Sequence, residues 1–123
     1  MKIFRVIIAG SRSFQDYDLL CQHADKMLAR VRQDHKIVVV SGGAHGADEL
    51  GELYAVNRGY EIKAFPADWD RYGKSAGYIR NEEMARNADA LIAFWDGQSH
   101  GTKHMIDLAE KYKLKVSVKQ YNE

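Results

Sequence analysis

The chain is 123 residues long, 46% hydrophobic and formally +1 in net charge, which predicts one domain over residues 1–123 with a real core. The near balance of 18 Lys and Arg against 17 Asp and Glu disfavours a nucleic-acid partner held by a broad basic surface, leaving only a local basic cleft for that purpose. Cys21 is the single cysteine, so an internal disulfide and a multi-cysteine zinc site are excluded and a reducing, cytoplasmic setting is expected.

In chain order, the first apolar run lies in "MKIFRVIIAGSRSF". Its core is too short for a signal peptide or a membrane span, so Phe4–Ala9 reads as a strand and no membrane partner is expected. A helical pattern follows at Leu20, Ala24, Met27 and Val31, with Asp16 as candidate cap. Ile37–Ser41 is the second strand, and it breaks into "SGGAHGAD". Ala47, Leu50, Tyr54 and Ala55 then carry a helix to about Gly59. Glu61–Phe65 is the third strand. It leads through the longest connection, "PADWDRYGKSAGY", to a helix marked by Ile79, Met84 and Ala85. Ala90–Trp95 is the fourth strand and "WDGQSHGTKH" its loop. Met105, Leu108, Ala109 and Tyr112 mark the last helix before a fifth strand, Lys115–Val118.

Strand and helix therefore alternate, and several strand runs are apolar on both faces. The expectation is an α/β fold: a Rossmann-like, doubly wound domain with a five-stranded, mainly parallel sheet and helices on both faces. Ligands of such sheets bind at the carboxyl ends of the strands. The loops leaving the first, second and fourth strands are all rich in Gly and Ser, and all lead to a helix N-terminus. Free amides and the positive end of the helix dipole receive phosphate there, and glycine admits it close to the backbone. Neither G-x-G-x-x-G after the first strand nor G-x-x-x-x-G-K-[ST] is present, which disfavours an ordinary dinucleotide dehydrogenase or a P-loop NTPase.

Together "AGSR", "SGGAHGAD", "AGYIRNEEMA" and "GQSHGT" resemble the SLOG superfamily of Rossmann-like nucleotide-binding domains, and within it the YspA, or YpsA-related, branch. The likeness runs from about Ile3 to about Val118. It implies a nucleotide or nucleotide-derived ligand as partner, with no cofactor. Wider relatives include the lonely-guy phosphoribohydrolases and DNA-processing protein A, so N-glycosidic hydrolysis and single-stranded nucleic-acid binding are the alternatives. A homo-oligomer is compatible with the sequence.

The residues expected to touch the ligand follow. Gly10, Ser11 and Arg12 lie at the first strand end, where a hydroxyl and a guanidinium suit phosphate; a solvated arginine is the alternative. Ser41, Gly42, Gly43 and Gly46 would let phosphate or ribose lie against the second helix. Asp48 stands in that helix's first turn, where the dipole stabilises a carboxylate with or without a ligand. Arg80 and Asn81 match the superfamily's arginine-containing helix, and Gly97, Ser99, Gly101 and Thr102 resemble its second phosphate-binding turn. The lonely-guy enzymes carry a catalytic glutamate in P-G-G-x-G-T-x-x-E. Here the corresponding stretch reads "GQSHGTKHM" and Met105 stands at the glutamate position. A thioether cannot move a proton at neutral pH, so any hydrolysis would need a relocated group. Asp48, Arg80 and Glu83, with Glu82 beside it, are the catalytic candidates.

Three further features are weighed and set aside or left open. His100 and His104 share a helical spacing but lack the H-E-x-x-H glutamate and a third ligand, so no metal site is expected. Cys21 falls on an apolar helix pattern and reads as a packed thiol. Trp69, Tyr72 and Tyr78 could cover a nucleobase or close an edge of the core.

Overall fold

The computed structural model describes residues 1–121. Five strands, β1 (Lys2–Gly10), β2 (His35–Ser41), β3 (Glu61–Ala64), β4 (Ala90–Trp95) and β5 (Lys115–Gln120), form one sheet in the order β3-β2-β1-β4-β5. Every neighbouring pair is parallel, with Val6 opposite both Val39 and Ala90. The helices are α1 (Tyr17–Leu28), α2 (Ala47–Arg58), α3 (Trp69–Tyr72), α4 (Ala76–Arg86) and α5 (His100–Lys111). This is the expected Rossmann-like α/β architecture.

Alternation along the central strands divides the core into two layers. Val6, Ile8, Val39 and Phe94 face one way, against Leu20, Ala24 and Leu28 of α1 and Tyr54 and Ala55 of α2. Ile7, Val40, Leu91 and Ala93 face the other way, against Met84 and Ala85 of α4 and Met105, Leu108 and Ala109 of α5. The two-sided burial of β1, β2 and β4 explains why they read as continuous apolar runs. The edge strands β3 and β5 are largely exposed and carry Lys63, Lys115 and Lys119, a composition that discourages edge pairing with another chain.

Local chemistry sets the element ends. The Asp16 carboxylate accepts from the Leu19 amide at 3.0 Å and caps α1. Gly59, at φ +73°, closes α2, and the next amide, of Tyr60, donates to Ala55 O at 2.8 Å. Three sequence expectations shift. Val31 belongs to a separate short turn, Val31–Gln33, after α1 has ended. Ile79 is exposed, and Asn81 takes a buried position on α4. The connection after β3 contains the short helix α3, capped by the Asp68 carboxylate on the Arg71 amide at 3.1 Å. Among the described residues no helix is long and apolar enough to cross a membrane.

Candidate functional site

In the order β3-β2-β1-β4-β5 the chain leaves β1 and β2 toward helices on one face and β4 toward α5 on the other. The loops part where β1 meets β4, and a crevice opens at the carboxyl ends of the strands. That crevice is a cleft of about 620 Å³. Its walls come from Gly10 at the end of β1 and Arg12 beyond it, Gly42–His45 and Asp48 around the start of α2, and the segment after β3. The first turns of α4 and α5 complete it.

Asp48 and Arg80 both line it. Asp48 is only 5% exposed, and its Oδ2 accepts from the Ala44 amide at 3.2 Å. Burial pushes its carboxyl up to about 6, while the Ala44 amide and the Arg80 charge pull the other way. Arg80 donates from Nη1 to Gly42 O at 2.6 Å and from Nε to Asn81 Oδ1 at 3.0 Å. Burial lowers its pKa, the Asp48 charge opposes this, and the Arg12 charge adds to it. The reason for glycine at 42 is visible here. An added Cβ would come to 2.7 Å from Arg80 Nη1 and 2.9 Å from Asp48 Oδ2, so only a bare backbone lets both side chains close over the turn.

A second chain of contacts holds Arg80 from behind. Arg80 Nε can only donate, so Asn81 Oδ1 must face it, and Asn81 Nδ2 is turned toward Gly101 O at 3.4 Å and His104 Nδ1 at 3.2 Å. His104 Nδ1 is therefore an acceptor and the ring is neutral in this arrangement. Burial lowers the His104 pKa against the pull of Asp107 and Glu82, which favours the same state. Tyr78 packs edge-on against the His104 ring at 4.6 Å.

Of the residues singled out from sequence, Gly10, Arg12, Gly42, Gly43, Asp48 and Arg80 meet at the cleft, as do Asn81, Ser99, Gly101 and Thr102. Others stand outside its lining, among them Tyr72 and Glu82, the latter bonded to Arg86 and Tyr112. Ser11 is buried; its Oγ accepts from the Asp96 amide at 3.1 Å and ties the β1 and β4 loops together. Ser41 is also buried, donating to Glu52 Oε2 at 2.6 Å and accepting from the Gly43 amide at 3.1 Å. Gly46 lies against the carbonyls of Ser11 and Arg12, and Gly97 against the Gln120 side chain. Glu83 is on the exposed side of α4. Helix α5 begins at His100, and the Asp96 carboxylate takes the Gln98 and Ser99 amides just before it at 2.9 and 2.8 Å.

The expected amide cradle after β2 is also altered, because the Gly43 and Ala44 amides already donate to Ser41 and Asp48. Met105, fully buried, forms part of the cleft wall at the position aligned above with a catalytic glutamate. Sequence reasoning missed Lys74, His45 and Gly77 as lining residues. Lys74 and Gly77 sit in the long connection and the first turn of α4, where no periodic signal marks which residues turn inward.

The lining is cationic. Arg12, Lys74, Arg80 and Asp48 all line the cleft, and Asp48 is the only carboxylate among the described lining residues. Fold and site together define a Rossmann-like α/β protein with a basic cleft at the topological switch point of its sheet. The chain belongs to the YspA, cpYpsA-related SLOG family, whose profile matches residues 4–72. It is 38% identical over 122 residues to the gene 61 protein of Mycobacterium phage D29, covering 91% of this chain and 93% of that one. Its fold is similar to DNA processing protein A from Streptococcus pneumoniae, with TM-score 0.70 and 17% identity over 95% of this chain, although it spans only 50% of that protein. It is likewise similar to DNA processing protein A from Helicobacter pylori, with TM-score 0.70 and 20% identity, covering 98% of this chain and 67% of that one. Protein TM1055 shares the fold at TM-score 0.64 and 21% identity, with 94% of this chain and 72% of that one covered.

Proposed function

We propose that the chain is one nucleotide-binding domain whose cleft takes a nucleotide or nucleotide-derived small molecule, with the phosphate at the Arg12–Arg80 end. The observation that carries this reading is the charge of the cleft: Arg12, Lys74 and Arg80 line it against a single, buried carboxylate. Guanidinium groups bind phosphate oxygens through paired, charge-assisted hydrogen bonds. With the Gly43 and Ala44 amides engaged internally, Arg12, Arg80 and the first turn of α5 at Ser99–Thr102 are the groups that would meet the anion. Membership of the SLOG family supports the same ligand class.

The test is thermal denaturation with each nucleoside monophosphate and its nucleoside. A nucleotide at a hundred times its Kd stabilises the native state by about 2.7 kcal/mol. Nucleosides are expected to do much less, and Arg12→Ala to weaken the nucleotide effect. Equal shifts from nucleotide and nucleoside would remove the phosphate argument. DNA processing protein A from Helicobacter pylori binds single-stranded DNA, so an oligonucleotide belongs in the same series. Tighter binding of the oligonucleotide than of any mononucleotide would favour that partner instead.

Hydrolysis is a second reading, favoured by the position of Asp48. A carboxylate raised to about 6 beside Arg80 suits proton transfer: it would take a proton from the water that adds to the ribose anomeric carbon and pass it to the departing base nitrogen as the glycosidic bond breaks, yielding ribose 5-phosphate and free base. Met105 in the cleft wall argues against the lonely-guy form of that reaction. The expected result is binding without base release. Base release by the wild type that disappears in Asp48→Asn would establish the hydrolase reading.

A further inference from the structure

The glycines of this chain divide by what the fold demands of them. At Gly10, Gly42, Gly46 and Gly51 an added Cβ would meet another atom at 2.8 Å or less, and Gly43, Gly59, Gly73 and Gly97 have positive φ. Gly77 and Gly101 have neither constraint. Around Gly77 an added Cβ would find only Trp69 Cη2 at 3.5 Å and Arg80 Nη2 at 3.8 Å, and around Gly101 nothing within 4 Å. Each is the second residue of a helix, α4 or α5, and each lines the cleft. Glycine is a poor helix former. A glycine that weakens its helix and answers no packing need keeps space for something the fold does not supply.

The surroundings of Gly77 say what that something is. Nearest to that Cβ position stands the Trp69 indole, a group that packs against the face of a planar π system, and the Arg80 guanidinium assigned above to the phosphate comes next. Trp69 is 55% exposed and Tyr78 50% exposed, and both line the cleft. Neither ring belongs to either layer of the core, so closing a core edge does not account for them. We propose that Gly77 is the floor of a subsite for the planar heteroaromatic ring of the ligand, walled by Trp69 and open toward Arg80. The inference rests on the nucleotide reading above and adds where the base lies. It also assigns the long connection after β3 its role, since that segment supplies the aromatic wall.

The experiment is calorimetric titration of the full chain with ribose 5-phosphate and with AMP, GMP, CMP and UMP, for wild type, Gly77→Leu and Trp69→Ala. Wild type is expected to bind its preferred monophosphate at least tenfold more tightly than ribose 5-phosphate. Gly77→Leu should melt at or above the wild-type temperature, because leucine favours the helix. It should lose the advantage of the base while holding ribose 5-phosphate within twofold. Trp69→Ala, which changes an exposed side chain, should reduce the same advantage and decides the matter should Gly77→Leu fail to fold. Equal wild-type affinities for base-bearing and base-free ligands, or unchanged monophosphate binding in the variants, would overturn the subsite and leave the phosphate reading standing. Equal loss of both ligands in Gly77→Leu would put the phosphate there and also overturn it. A wild type that binds neither would sink the nucleotide reading, and the subsite with it.

Discussion

Burial of Asp48 imposes a free-energy cost on the fold. Its folded-state pKa is raised to about 6 by burial. Between about pH 4 and 6 the folded protein therefore holds a proton that the unfolded chain has released. Stability contributed at this site falls as pH climbs through that window and is flat above it. The difference of about two pKa units corresponds to about 3 kcal/mol at pH 7. Asparagine can still accept from the Ala44 amide and carries no charge to bury. Asp48→Asn is thus expected to be more stable than wild type by about 1–3 kcal/mol at pH 7.5, and the two should converge near pH 4. Urea denaturation at both pH values checks this. Burial also lowers the pKa values of His23 and His104, but their contribution is common to both proteins and cancels in the difference. A variant no more stable than wild type at pH 7.5 would mean that Asp48 is stabilised in place by groups other than those named.

At the scale of elements, the turn between β2 and α2 is built against the first turns of α4. Arg80 reaches 38 residues back to the Gly42 carbonyl, and the absence of a side chain at 42 permits it. Gly42→Ala is expected to push the Arg80 guanidinium and the Asp48 carboxylate aside, both being movable side-chain ends. The loss should appear in binding, with nucleotide affinity down at least tenfold, and little in stability, a change of about 1 kcal/mol. Titration and melting of the same variant separate the two. Unaltered affinity would show that Arg80 does not meet the ligand from its Gly42-bound position.

For the whole molecule, the sheet separates two apolar layers that share strands but no side chains. Leu20 on α1 and Leu108 on α5 lie on opposite sides of it, both buried. Truncation of either to alanine is expected to cost about 2–5 kcal/mol, a large part of the roughly 5–15 kcal/mol that holds a domain folded. Because the sites share no partners, the double variant should equal the combined single effects within about 0.5 kcal/mol. Denaturant titration of the three variants measures this. A larger discrepancy would show that the layers are coupled through the strands.

The alternation of strands with the four longer helices, the parallel sheet and the edge at which the cleft opens were legible in the sequence. Hydrophobic period and small-residue loops are properties of neighbouring residues, and right-handed crossovers leave little freedom in assembling them. Asp16 as a cap and Gly59 as a helix end are of the same local kind. What a side chain meets across the fold is not local. Ser41 and Ser11 look like phosphate ligands in sequence, yet each turns inward to bond Glu52 or the Asp96 amide. Gly77 and Lys74 carry no periodic mark and still line the cleft, and His104, weighed as a metal ligand, instead orients Asn81 behind Arg80. These pairings depend on the strand order and register that bring distant loops face to face, and only the folded chain has them.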